Sequence, residues 1–196
     1  MIIVIYKIVT FIRQVFYQAI CGIHFSLFKV SIGKNWKING ILFIRNSGTG
    51  GITIGKNFRA NSGASNNPIG GDTILRLITK KEGKIIIGNN VGISNTTIFS
   101  ENSILIEDGV LLGGGCLIWD TDFHSLDASI RGTSQDEGKT LPIVIKKKAF
   151  IGANSTLLKG VVIGENSIVA TGSIVTKSIP DNQIWGGNPA KFIRDI

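Results

Sequence analysis

The sequence predicts a mainly β fold, a parallel β-helix of six-residue units, and three observations carry that prediction. Ile145, Ile151, Leu157, Ile163, Val169 and Val175 recur at a spacing of six without a slip. A helix would need spacings of three and four and an alternating strand a spacing of two, so a period of six means a short strand and a turn repeated as one unit. One phrase also returns along the chain, as "IGKNW" at Ile32, "IGKNF" at Ile54, "IGNNV" at Ile87, "IEDGV" at Ile106, "IKKKA" at Ile145 and "IGENS" at Ile163. The last two start 18 residues apart, so three short strands complete one revolution. Finally, 25 glycines against four prolines, with abundant Ile, Val and Asn, make a turn-dense composition that favours strands. No glycine recurs at every third position, which excludes collagen.

Residues 1–30 stand apart as an amphipathic helical segment. Lys7, Thr10, Gln14 and Gln18 fall at spacings of 3, 4 and 4, one narrow polar stripe on a helix that is otherwise apolar. Lys7 and Arg13 interrupt the apolar run, which falls short of the ~18 uninterrupted residues of a spanning helix. No charged region precedes it and no clear small-residue cleavage site follows, unlike a signal peptide. Two expectations follow for this helix: packing on its own domain or a neighbouring subunit, or lying in a membrane interface.

Residues 31–179 form the expected β-helix. Successive phrases are 22, 33, 19, 39 and 18 residues apart, so two intervals far exceed one revolution. Insertions are therefore expected within 59–84 and within 121–141. Inward Ile, Leu and Val of each coil stack on their equivalents above and below, while Gly and Asn supply the positive φ of the corners. Because each coil touches only its neighbours, a loop can leave a corner without disturbing the stack. Residues 180–196 read as a C-terminal tail.

The net charge of +8 admits nucleic acid, an anionic surface or a phosphate-bearing ligand. The cations are scattered, densest at Lys146–Lys148, with no helix-turn-helix or aromatic-basic platform, so nucleic acid is not an expected partner. The two cysteines, Cys21 and Cys116, lack paired spacing and suit a reducing cytosol.

The second insertion opens with "WDTDFHSLDASIR", residues 119–131. Counting six onward from Ile106, Leu112 and Ile118 lands on His124, which would have been the next inward side chain. Asp120, Asp122 and Asp127 stand nearby, any of which could hold the imidazole in a proton-accepting tautomer. Asp122, two residues away, lies on the same side if the segment is extended. Trp119 and Phe123 could wall a sugar or pack the loop base. Cys116, two positions before inward Ile118, reads as a small buried hydrophobe ahead of a nucleophile.

The six-residue repeat, "IWDTDFHSLDASIR", "FIGANSTLLKGVVIGENSIVATGSIVTKSIP" and the closing "GGNPAKFIR" resemble the hexapeptide-repeat acyltransferases, most of all the CoA-dependent sugar and polysaccharide O-acetyltransferases. The resemblance covers roughly residues 32–196. It implies a left-handed coil, His124 as general base in direct acetyl transfer from acetyl-CoA, and an acceptor hydroxyl on a sugar or cell-surface glycan precursor. It implies acceptor contacts at Ser94 and Asn95, and Arg131 is assigned with them. For the cofactor it implies Gly152 and Ala153 along the pantetheine arm, Thr171 and Thr176 as contacts, and Lys191 and Arg194 near the adenosine phosphates. It further implies a homotrimer with sites at subunit junctions, and a cytoplasmic protein, peripheral to the inner face of the membrane if the N-terminal helix touches lipid. No metal is expected, since a γ-type carbonic anhydrase needs three histidines and this chain has only His24 and His124. An N-acetyltransferase acting on an amino sugar, free or nucleotide-linked, remains the rival. A structural β-helix would need no acidic-histidine loop.

Overall fold

The computed structural model describes residues 2–196. Among the described residues a single helix, α1 (Ile2–Leu27), precedes twenty strands. The coils are β1 (Ser31–Ile32), β2 (Lys37–Asn39), β3 (Phe43–Asn46); β4 (Gly51–Ile54), β5 (Arg59–Asn61), β6 (Arg76–Thr79); β7 (Lys84–Ile87), β8 (Gly92–Ser94), β9 (Thr97–Ser100); β10 (Ser103–Ile106), β11 (Leu111–Leu112), β12 (Leu117–Trp119); β13 (Ile143–Ile145), β14 (Phe150–Ile151), β15 (Thr156–Leu157); and β16 (Val162–Ile163), β17 (Ile168–Val169), β18 (Ile174–Val175). Every third strand joins the same sheet, so three sheets wrap one core as a left-handed parallel β-helix.

The register follows the repeated phrase. Ile32 pairs with Ile54, Ile54 with Ile87, Ile87 with Ile106, Ile106 with Ile145 and Ile145 with Ile163. Each such pair stacks branched aliphatics that are essentially buried, apart from partly buried Ile32, and the stacked coil is one continuous core. Corners use asparagine and glycine at positive φ, as at Asn57, Asn90, Asn154 and Asn166.

The two insertions leave different corners. Residues 62–75 bulge between β5 and β6, and residues 120–142 between β12 and β13. The expected tail is not a tail: β19 (Gln183–Gly187) adds to the second sheet beside β17, and β20 (Ala190–Asp195) folds back on it as a hairpin. Helix α1 packs on the first coil. Gln14 and Gln18 donate to the Ile38 carbonyl, Cys21 is fully buried, and Phe25 meets Trp36 edge-on at 5.3 Å. By length and composition Ile5–Leu27 could also cross a membrane.

Candidate functional site

The loop of residues 120–142 has a narrow neck. Thr121 and Thr140 form an antiparallel bridge, flanked by bonds from the Asp122 N–H to the Lys139 carbonyl and from the Leu141 N–H to the Asp120 carbonyl. Two aspartates expected to orient the histidine build this neck instead. Asp120 is fully buried and accepts from the Ser100 hydroxyl at 2.6 Å, the Glu101 N–H at 2.8 Å and the Asn102 N–H at 3.0 Å, capping the turn of the preceding coil. Asp122 pairs with Lys159 at 2.6 Å and so ties the loop to the following coil. The alternation that would have carried Asp122 and His124 to one side fails because the chain turns sharply. Phe123 has φ of 63°, and the His124 N–H reaches back to the Asp122 carbonyl at 2.7 Å.

His124 does not continue the inward stack. Its side chain is 67% exposed, because the chain has already left the coil after Ile118. Its Nδ1 lies 2.7 Å from Oδ2 of Asp136, a residue that sequence reasoning missed. Asp136 is only 7% exposed and also accepts the Ser125 and Gly132 N–H groups. Those two backbone donors, then the imidazole, hold its carboxyl down at about 2. A partner ionised at neutral pH draws the proton to Nδ1 and leaves Nε2 as the acceptor. Gly138 makes room for this turn: a Cβ there would sit 2.5 Å from the Phe123 nitrogen. The signal for Asp136 was only its place in the same insertion, since its partners are met through the loop's own fold.

Asp127 caps Ser129. Arg131 turns its guanidinium back onto the Ser125 and Leu126 carbonyls, which braces the loop. Asn95 is buried, accepting from the Gly63 N–H and donating to the Asn67 carbonyl, which fastens the first insertion. Ser94 lines a shallow groove on the second sheet with Lys37, Arg59 and Phe150. Trp119 and Phe123 do come together, at 6.2 Å, joined by an unforeseen Phe99 at 5.0 Å from Phe123. Phe99 stands one coil upstream in register with Trp119, and Lys80 lies 5.7 Å over its ring.

The expected cofactor residues fall in two groups, with Arg194 apart from both. Gly152, Ala153 and Thr171 stack at the corner between the second and third sheets, where a Cβ on Gly152 would lie 2.5 Å from the Thr171 nitrogen and the Gly172 N–H bonds the Ala153 carbonyl. Thr176 and Lys191 line a pocket of about 320 Å³ with Trp185, Pro189 and Phe192 at the terminal hairpin. Arg194 is not in that lining and donates to the Asp195 carbonyl. The histidine loop leaves the corner between the third and first sheets, so the loop and the small-residue stack lie at opposite edges of the third sheet. Cys116 is fully buried against the Gly152 carbonyl, and burial pushes its thiol up, away from the thiolate a nucleophile needs. Among the described residues no three His, Cys, Asp or Glu side chains gather as a metal site.

A three-sided coil with a six-residue repeat and one histidine-bearing loop defines the class: the chain resembles the hexapeptide-repeat acyltransferases. Residues 142–177 match the bacterial transferase hexapeptide family (six repeats). The galactoside O-acetyltransferase of Escherichia coli is 35% identical over 102 residues, which is 52% of this chain and 49% of that protein. A hexapeptide-repeat acetyltransferase from Vibrio cholerae, solved with acetyl-CoA, is 33% identical over 60% of this chain and 63% of its own, with a TM-score of 0.55. A variant of AntD, an N-acyltransferase from Bacillus cereus solved with dTDP-4-amino-4,6-dideoxyglucose and coenzyme A, is 26% identical, covers 84% of this chain and 82% of its own, and has a TM-score of 0.66. The chain spans about half the length of the curated relatives it matches.

Proposed function

We propose that this protein is an acetyl-CoA-dependent O-acetyltransferase acting on a hydroxyl of a sugar or cell-surface glycan precursor. The observation that carries this reading is the 2.7 Å pair of His124 Nδ1 and Asp136 Oδ2 on an exposed loop. It leaves Nε2 able to take the acceptor's proton as the acceptor oxygen forms its bond to the acetyl carbonyl. The acetyl thioester supplies the electrophilic carbon and a thiol leaving group. As the carbon–sulfur bond breaks, the proton held on His124 passes to the departing sulfur, so no acyl-enzyme forms and no net proton is gained. General-base assistance of this kind contributes about 10²- to 10⁴-fold.

The small-residue corner at Gly152, Ala153 and Thr171 suits a slender arm close to the backbone. Lys191, beside the aromatic lining of the terminal pocket, offers a point charge to a phosphate. Phe99, Trp119 and Phe123 give the acceptor an aromatic wall. Because His124 and the small-residue corner lie at opposite edges of one sheet, we propose sites shared between neighbouring chains of a homotrimer. Outward apolar residues such as Leu111, Leu117 and Phe150 would pack there.

A second reading, N-acylation of a nucleotide-linked amino sugar, is favoured by the greater coverage of the Bacillus cereus N-acyltransferase. One experiment separates them: thioester cleavage with acetyl-CoA against sugars, sugar nucleotides and amino sugars, for the wild type and His124→Ala. Full activity in the variant would sink the mechanism, and a preference for amines would move the acceptor to nitrogen. Mixing His124→Ala chains with Ala153→Trp chains restores activity if sites are shared.

A further inference from the structure

Helix α1 is amphipathic the wrong way round for a helix packed on its own protein. A helix docked on a core turns its apolar stripe inward and its polar residues out. Here Gln14 and Gln18 face the first coil and bond its Ile38 carbonyl, with Cys21 and Phe25 filling the same side. Ile5, Ile8, Phe11, Ile12, Val15 and Phe16 are all more than half exposed on the other side. At 3.6 residues per turn they occupy an arc of roughly 140°. Such a surface in water costs free energy along the N-terminal half of the helix, so something covers it.

Charge indicates the cover. Asp72 is the first acidic residue of the chain; residues 1–71 hold eight Lys and Arg and no acid, whereas 13 of each follow. The whole net charge of +8 therefore belongs to the helix and the coils nearest it. Arg13 and Lys37 line one pocket with Gln14 and Tyr17, so the cations adjoin the docked helix. An acid-free cationic end beside an apolar arc fits anionic lipid: the arc enters the acyl boundary while the cations meet headgroup phosphates. A second copy of this chain would bring a like-charged end against this one, which disfavours it.

We propose that α1 lies in the plane of an anionic membrane surface and holds the N-terminal end of the coil against it. This inference is independent of the acetyl-transfer reading. The test is flotation of the full-length protein with vesicles of phosphatidylcholine, alone or with phosphatidylglycerol, at low and high salt. Binding is expected only with phosphatidylglycerol, lost in Ile12→Glu/Phe16→Glu, and weakened about fivefold for each of Arg13→Gln and Lys37→Gln. Neither Ile12 nor Phe16 is buried, so an unchanged thermal melt shows that the double variant still folds. Equal binding to pure phosphatidylcholine would overturn the choice of anionic lipid. Binding that resists alkaline carbonate would mean a spanning helix and overturn the in-plane placement. Absence of vesicle binding, with an oligomer that Ile12→Glu/Phe16→Glu dissociates, would assign the face to a second copy instead.

Discussion

His124 and Asp136 stand twelve residues apart in the chain, and their side chains meet at 2.7 Å. The carboxylate is nearly enclosed while the imidazole is open, so one member is fixed and the other is presented. Replacing Asp136 by Asn keeps the size and removes the charge that stabilises a protonated ring. Asp136→Asn is expected to lower kcat about 10- to 10²-fold with little change in either KM, and His124→Ala about 10²- to 10⁴-fold. Steady-state kinetics across pH check this. An Asp136→Asn enzyme with unchanged kcat would remove Asp136 from the mechanism.

The coil was legible because its cause is periodic. The phrase beginning at Ile32 predicts the pairing of Ile54 with Ile87 and of Ile106 with Ile145, since burying the stack admits only one register. The position of the loop was legible for the same reason, as a break in that count. Which aspartate meets His124 was not legible. Inside an insertion the chain follows local turns, and the positive φ of Phe123 turns Asp122 away toward Lys159. Phe99 was hidden differently: it adjoins Trp119 only through the pairing of β9 with β12, and its sequence neighbours carry no mark of chemistry.

Asp120 separates folding from catalysis. Its buried carboxylate serves three donors from Ser100, Glu101 and Asn102, and Asp120→Ala would leave the buried Ser100 hydroxyl and two half-buried N–H groups without their acceptor. A loss of about 3 kcal/mol is expected. For a chain of this size that lowers the melting temperature by roughly 6–12 °C. Calorimetry checks it, with kcat per folded enzyme staying near wild type.

Phe123 offers a ring that is 44% exposed against Phe99 and Trp119. If that cluster walls the acceptor, Phe123→Ala raises the KM for the acceptor about five- to tenfold and leaves that for acetyl-CoA alone. An effect of equal size on both substrates would reduce the cluster to loop packing.

Lys191 and Arg194 divide a role that the resemblance gives them jointly. Only Lys191 lines the terminal pocket, while Arg194 is turned to the Asp195 carbonyl. Lys191→Ala is expected to raise the KM for acetyl-CoA about tenfold at low salt, with a smaller effect from Arg194→Ala. The reverse order would place the phosphates outside this pocket.

The loop that presents His124 should itself respond to acid. Asp136 titrates at about 2 in the folded chain against an ordinary 3.8, chiefly because the Ser125 and Gly132 N–H groups bond its ionised form. A lowered carboxyl stabilises the fold fully above the ordinary value and loses that contribution as the pH falls through the folded one. Hydrogen exchange should therefore find the Ser125 and Gly132 amides protected at pH 4 and progressively released toward pH 2. The Ile118 and Ile145 amides, within the parallel ladders, should hold longer. In Asp136→Asn the acid step at Ser125 and Gly132 disappears, leaving both amides weakly protected throughout. Protection in that variant equal to wild type would mean that the loop is held at its neck by Asp120 and Asp122 alone, and that the carboxylate of Asp136 serves only the imidazole.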